Sequence, residues 1–155
     1  MDPKFMQRAI ALSRENMRKN SGGPFGAVVV LNGKIIGEGW NKVTSANDPT
    51  AHAEVEAIRQ ACKNINSFQL TNAEIYTSCE PCPMCLAAIY WARIEKIYYA
   101  NTRKDAAQIE FDDDFLYQEL PKPIEKRKLP MKQVLHEEAL SVFKEWTEKA
   151  DRITY

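Results

Sequence analysis

The chain has 155 residues, 45% hydrophobic and 27% charged, ordinary values for one soluble domain with a single core. Its 21 basic and 21 acidic residues cancel, which argues against bulk electrostatic binding of nucleic acid or an anionic membrane. The apolar runs at 25–31 and 86–92 are too short to span a bilayer, and the amphipathic N-terminus is no signal peptide, so a cytoplasmic protein with reduced cysteines is expected.

Phe5, Met6, Ala9, Ile10, Ser13 and Met17 share one helical face, which predicts a helix from Pro3 to about Asn20, stopped by Ser21-Gly22-Gly23-Pro24. Residues 25–31 read as a buried strand. Asn32-Gly33 is a two-residue hairpin signal, and Lys34 to Trp40 returns as the partner strand. Asp48-Pro49-Thr50 starts a second helix, with either Asp48 or Thr50 as its cap and Val55, Ile58, Ala61 and Cys62 as its apolar face. Glu74 to Thr77 is a short strand, Pro83 opens a third helix, and Lys96 to Ala100 is another strand. Helix, hairpin, helix, strand, helix, strand is the order of a three-layer α/β domain with right-handed crossovers. Beyond Asn101 the pattern weakens. A helix over 111–120, a linker from Pro121-Lys122-Pro123 to Lys128, a last strand over Met131–His136 and a last helix over Glu138–Lys149 are expected. His136 in that strand pattern reads as structural.

Three of the four cysteines, Cys79, Cys82 and Cys85, crowd into seven positions, which suits metal chemistry better than disulfides. Cys82 and Cys85 stand three apart at a predicted helix start, so both sulfurs reach one ion. His52 supplies a third ligand from another predicted helix start. Helix N-termini favour thiolate over thiol. Three protein ligands leave a tetrahedral zinc one open position for water, the catalytic pattern. Glu54, two residues after His52, is placed to move that water's proton provided the helix entrance is not fully helical. With Cys79 as fourth ligand the site would instead be closed and structural. Cys79 otherwise reads as a small buried residue at a strand end.

His52-Ala53-Glu54 followed by Pro81-Cys82-Pro83-Met84-Cys85 is the motif of the zinc nucleobase deaminases. Gly23-Pro24-Phe25-Gly26-Ala27-Val28-Val29-Val30, Asn47 to Val55, Ser78 to Cys85, Ile89-Tyr90-Trp91-Ala92-Arg93 and Phe111-Asp112-Asp113 further resemble bacterial guanine deaminases, across essentially the whole chain. The resemblance implies a three-layer α/β/α cytidine deaminase-like fold, with a central mixed sheet of about five strands. It implies a hydrolase carrying one Zn²⁺ per subunit on His52, Cys82 and Cys85, with a small purine base as substrate and neither nucleic acid nor membrane as partner. Glu54 and Asp113 would be the catalytic carboxylates. Asn41, Phe25, the backbone of Ala53, Trp91 and Tyr155 would form the substrate pocket. Guanine would lose its 2-amino group to zinc-activated water, giving xanthine and ammonia. In some relatives the C-terminal segment is exchanged within a homodimer, so one domain over 1–155 with residues 121–155 swapped about Pro121-Lys122-Pro123 is expected. The acidic run departs from the family pattern by continuing to Asp114.

Two rivals stand beside this reading. A tRNA adenosine or a guanosine deaminase shares the metal motif, but a tRNA enzyme needs a basic track, and Lys122, Lys126, Arg127 and Lys128 are the sole cluster. A non-catalytic, zinc-stabilised interaction module predicts four protein ligands.

Overall fold

The computed structural model of the protein describes residues 1–111 and 113–154. Its elements are α1 (Pro3–Arg18), β1 (Gly26–Leu31), β2 (Lys34–Trp40), α2 (Val43–Ala46), α3 (Ala53–Ile65), β3 (Glu74–Cys79), α4 (Pro83–Trp91), β4 (Lys96–Asn101), α5 (Arg103–Ala107), α6 (Asp114–Glu119) and α7 (His136–Glu148). The chain divides into two compact units, the second starting at Tyr117.

α1 begins where Asp2 accepts the Lys4 N–H at 3.1 Å and Pro3 fills the first turn, whose N–H would have no helical partner. The Asn32-Gly33 hairpin forms as its sequence requires. Both residues have positive φ, 50° and 73°, which matches the right-handed twist of the flanking strands.

Among the described residues the sheet has four strands, ordered β2-β1-β3-β4, rather than the five expected. β1 is antiparallel to both β2 and β3, and β4 lies parallel to β3, so the sheet is mixed. Met131 to Leu135 forms no strand. Leu135 takes a left-handed conformation, φ 52°, that breaks an extended run, and His136 is the exposed first residue of α7.

Alternation along β1 and β3 separates two cores. Val28, Val30 and Tyr76 face Phe5 and Leu12 of α1. Ala27, Val29 and Ile75 face Ala53, Ala57 and Ala61 of α3 and Ile89 of α4. A helix layer therefore covers each side of the sheet, giving the three layers expected. Each large side chain fully buried here, such as Ile75 or Tyr76, contributes about 1.5–3 kcal/mol.

α3 lies unusually close to β2. A Cβ built on Gly39 would sit 2.1 Å from the Ala53 carbonyl oxygen and 2.4 Å from the Ala57 nitrogen. One on Gly37 would sit 2.3 Å from the Ala57 oxygen. Glycines on the strand and alanines at four-residue spacing on the helix bring the two backbones together, and this fixes where the start of α3 lies.

Candidate metal centre and active-site cavity

α3 starts at Ala53, five residues later than Asp48. Asp48 is spent in a local turn, where its Oδ1 accepts from the Thr50 N–H at 2.8 Å and the Thr50 hydroxyl at 2.7 Å. Pro49 belongs to this turn and not to the helix. Neither Asp48 nor Thr50 caps α3. The cap position falls to His52, extended at ψ 158°, with no side-chain capping bond. α4 repeats the device: Cys82, extended at ψ 167°, is the cap residue and Pro83 is the first helical residue. Each metal-binding segment thus enters a helix on a ligand, with the helix N-terminus behind it favouring an anionic sulfur. Because His52 lies outside the helix, its side chain and that of Glu54 escape the divergence of i and i+2 on a regular helix. Both line one cavity.

The turn carrying His52 is tied to its surroundings. The Lys42 N–H donates to the Ala51 carbonyl at 2.9 Å, and the Lys42 ammonium donates to Glu56 Oε2 at 2.8 Å. The Lys42 ammonium also sits 4.4 Å from the Trp40 ring centroid.

His52 Nδ1 lies 3.6 Å from Cys82 Sγ and 3.4 Å from Cys85 Sγ. All three potential ligand atoms fall within 4.8 Å of one another. A tetrahedral zinc with bonds of about 2.3 Å to sulfur and about 2.0 Å to nitrogen needs nitrogen–sulfur separations of about 3.5 Å. Both observed nitrogen–sulfur separations match that geometry. Among the described residues they are the one group so arranged.

The Cys82 thiol is pushed down to about 4, chiefly by a hydrogen bond from Cys85 and then by the His52 ring. Cys85 is pushed up by sharing its proton with Cys82 and by burial, and His52 is raised by its bond to Cys82. Metal binding must displace these protons.

Cys79 is buried at the end of β3 and donates its thiol to the Thr102 carbonyl at 3.6 Å. Burial pushes it up to about 11. It lines the cavity but lies outside the ligand group, so among the described residues three side chains are placed to hold one ion.

The cavity measures about 390 Å³. Glu54 projects into it at 6% exposure, and burial raises its carboxyl above the usual carboxylate range. Thr77 Oγ1 lies 3.2 Å from Glu54 Oε1. Asn41, Phe25, Ala53 and Asp113 also line the cavity, so most of the residues singled out in the sequence come together. The Asn41 side-chain oxygen accepts from the Gly23 N–H at 3.3 Å and the Val43 N–H at 3.2 Å, which leaves its amide nitrogen as the remaining donor. Phe25 meets Phe111 edge to face, centroids 4.9 Å apart at 81°. Asp113 lines the cavity, while Asp114 is exposed at the start of α6.

Trp91 is not brought to the site. It ends α4 at 63% exposure, with the Arg93 guanidinium 5.9 Å from its ring centroid. Tyr155 lies outside the described residues. Sequence reasoning missed Thr77, Glu80, Arg103 and Glu110. Thr77 contacts Glu54, and the other three line the cavity. Phe111 also lines the cavity and carried a signal, its place beside the acidic run.

Residues 1–101 match the model of the cytidine and deoxycytidylate deaminase zinc-binding region. The guanine deaminase of Bacillus subtilis (strain 168) is 53% identical over 151 residues, 97% of this chain and 97% of that protein. An X-ray structure of guanine deaminase from Bacillus subtilis superposes with a TM-score of 0.97 at 52% identity, covering 100% of this chain and 99% of that one. A tRNA-specific adenosine deaminase of Buchnera aphidicola subsp. Schizaphis graminum (strain Sg) is 44% identical over 88 residues, 57% of this chain and 58% of that protein.

Proposed function

The chain belongs to the family of cytidine and deoxycytidylate deaminase zinc-binding proteins, and on that premise we propose that it hydrolyses guanine to xanthine and ammonia. The observation that carries this reading is the extent of the likeness. The guanine deaminase of Bacillus subtilis matches over 97% of the chain, while the tRNA-specific enzyme matches over 57%.

His52 Nδ1, Cys82 Sγ and Cys85 Sγ would hold the zinc. Zinc bound there supplies a Lewis acid that makes water a nucleophile at neutral pH. The chain's own residues account for the rest. Phe25 and Phe111 form an apolar wall for the flat face of the base. The Asn41 amide nitrogen donates to a ring acceptor. The Ala53 N–H, at the first position of α3, has no partner within its helix and supplies a second donor. As the water oxygen bonds to C2, Glu54 takes one of its protons and passes it to the ring nitrogen beside C2; as the bond from C2 to the amine breaks, Glu54 and Asp113 pass the second water proton, from the new C2 hydroxyl, to the departing amine. Burial raises the Glu54 carboxyl above the usual carboxylate range, the direction that favours holding a proton. Tyr155 would close the pocket.

The C-terminal segment supports a homodimer with exchanged tails. None of the described residues beyond Leu116 is buried. Ala139, Val142, Phe143 and Trp146 form an apolar stripe on α7, with the last three 59%, 70% and 42% exposed. A 13-residue helix is marginal alone. The occupant proposed for this stripe is a second copy of the chain, with Pro121-Lys122-Pro123 as the hinge. Two ligand thiols that must stay reduced are consistent with a cytoplasmic location. No described helix is long and apolar enough to cross a membrane.

Zinc-loaded protein given guanine should release xanthine and ammonia in equal amounts. Untouched guanine, with adenosine in tRNA converted instead, would reject guanine as the substrate.

A further inference from the structure

Glu54 must keep one carboxyl oxygen aimed at the substrate while protons come and go. A glutamate side chain has three rotatable bonds, so something must hold it. Thr77 is placed to do so. Its side chain is 2% exposed, and its Oγ1 lies 3.2 Å from Glu54 Oε1 and 2.9 Å from the Cys79 carbonyl oxygen.

The hydroxyl itself is rigidly mounted. Thr77 sits inside the sheet, paired with Ala27 of β1 on one side and Tyr99 of β4 on the other. A β-branched side chain on a strand has little χ1 freedom, and the Cys79 carbonyl restricts it further. With one proton between two oxygen partners, the hydroxyl can give it to either. Toward ionised Glu54 it donates to Oε1; it accepts there only when Oε1 carries a proton, its own hydrogen then turning to the Cys79 carbonyl. Thr77 does not line the cavity, so any effect on substrate passes through Glu54.

We propose that Thr77 is a positioning residue for the reaction: its hydroxyl pins Oε1 of Glu54, leaving Oε2 to meet water and substrate. This rests on Glu54 being the proton carrier. Valine fills the volume of threonine without donor or acceptor, and serine keeps the hydroxyl.

The test compares Thr77→Val, Thr77→Ser and Glu54→Gln, each zinc-loaded, by steady-state kinetics on guanine, with zinc content and melting temperature measured alongside. Thr77→Val should lose about tenfold to a hundredfold in kcat, as for a group misplaced by about 1 Å, with KM within about twofold and zinc retained. Thr77→Ser should recover most of kcat. Should Thr77→Val not fold, Thr77→Ala against Thr77→Ser gives the same comparison. Wild-type kcat without the hydroxyl, or a loss that serine does not recover, or a loss that tracks zinc content, overturns the proposal. An active Glu54→Gln overturns the proton-carrier reading and this proposal with it. An inactive Glu54→Gln beside a fully active Thr77→Val rejects the role of Thr77 alone.

Discussion

The seating of α3 on β2 makes a quantitative claim about the metal site, and Gly39→Ala tests it. The added methyl would lie 2.1 Å from the Ala53 carbonyl oxygen and 2.4 Å from the Ala57 nitrogen, where ordinary contact begins near 3.4 Å. Both atoms are backbone, so no side chain can swing away. Helix or strand must give by about 1.3 Å, at an overpacking cost of about 1–3 kcal/mol. The shift falls at Ala53, between His52 and Glu54. Metal–ligand distances tolerate only about 0.2 Å. A displacement of about 1 Å should weaken zinc binding measurably and lower kcat by about a hundredfold. Chelator competition reads the first, and steady-state kinetics on guanine the second. Gly33→Ala is the control. It strains a left-handed turn residue, φ 73°, that has no heavy atom within 4 Å of an added Cβ, and it should cost stability while sparing zinc affinity. If Gly39→Ala keeps wild-type zinc affinity and kcat, close backbone packing does not set the ligand geometry.

Cys79→Ala should leave one zinc per chain and most of the activity, because the Cys79 thiol is engaged with Thr102 and lies outside the ligand group. Loss of metal, measured by elemental analysis, would revive a closed four-ligand site. Asp113→Asn should lower kcat by about tenfold to a hundredfold with little change in KM, while an unchanged kcat would remove the second carboxylate from the mechanism. The bidentate hydrogen bond from Arg8, both contacts 2.8 Å, holds the Glu38 carboxyl below its ordinary value of 4.5. A lowered carboxyl stabilises the fold above its unfolded pKa and loses that contribution as pH falls through its folded value. Glu38→Gln should therefore be less stable by about 0.5–1 kcal/mol near neutrality, the pair being partly exposed, and the gap should close in acid denaturation series.

The legible parts of the fold and site were those set by local chemistry. Asn32-Gly33 tolerates positive φ at both positions, so the hairpin and its two strands could be read directly. The spacing of Cys82 and Cys85 after Pro81 specified a shared ion before any geometry was known. The start of α3 was misplaced because Asp48-Pro49-Thr50 has the composition of a helix cap as well as of a turn. The extended His52, the Lys42–Ala51 bond and the packing of Ala53 against Gly39 distinguish the two. The mix of apolar and polar residues from Met131 to His136 suggests a strand, but composition cannot reveal that Leu135 adopts φ 52°. Trp91 was drawn into the pocket by its neighbours in a motif, although it ends α4 at the surface. Thr77 was invisible for a different reason. Threonine is an ordinary strand residue, and its hydroxyl gains meaning only beside Glu54, 23 positions away.

The central claim is that this site adds the oxygen of water to a purine carbon and releases the amino group, and the most direct measurement is the reaction in heavy-oxygen water. Zinc-loaded protein given guanine should yield xanthine carrying one labelled oxygen, matched mole for mole by ammonia, with Glu54→Gln yielding neither while keeping its zinc. Xanthine without label, or ammonia from another aminated substrate with guanine untouched, would contradict the account.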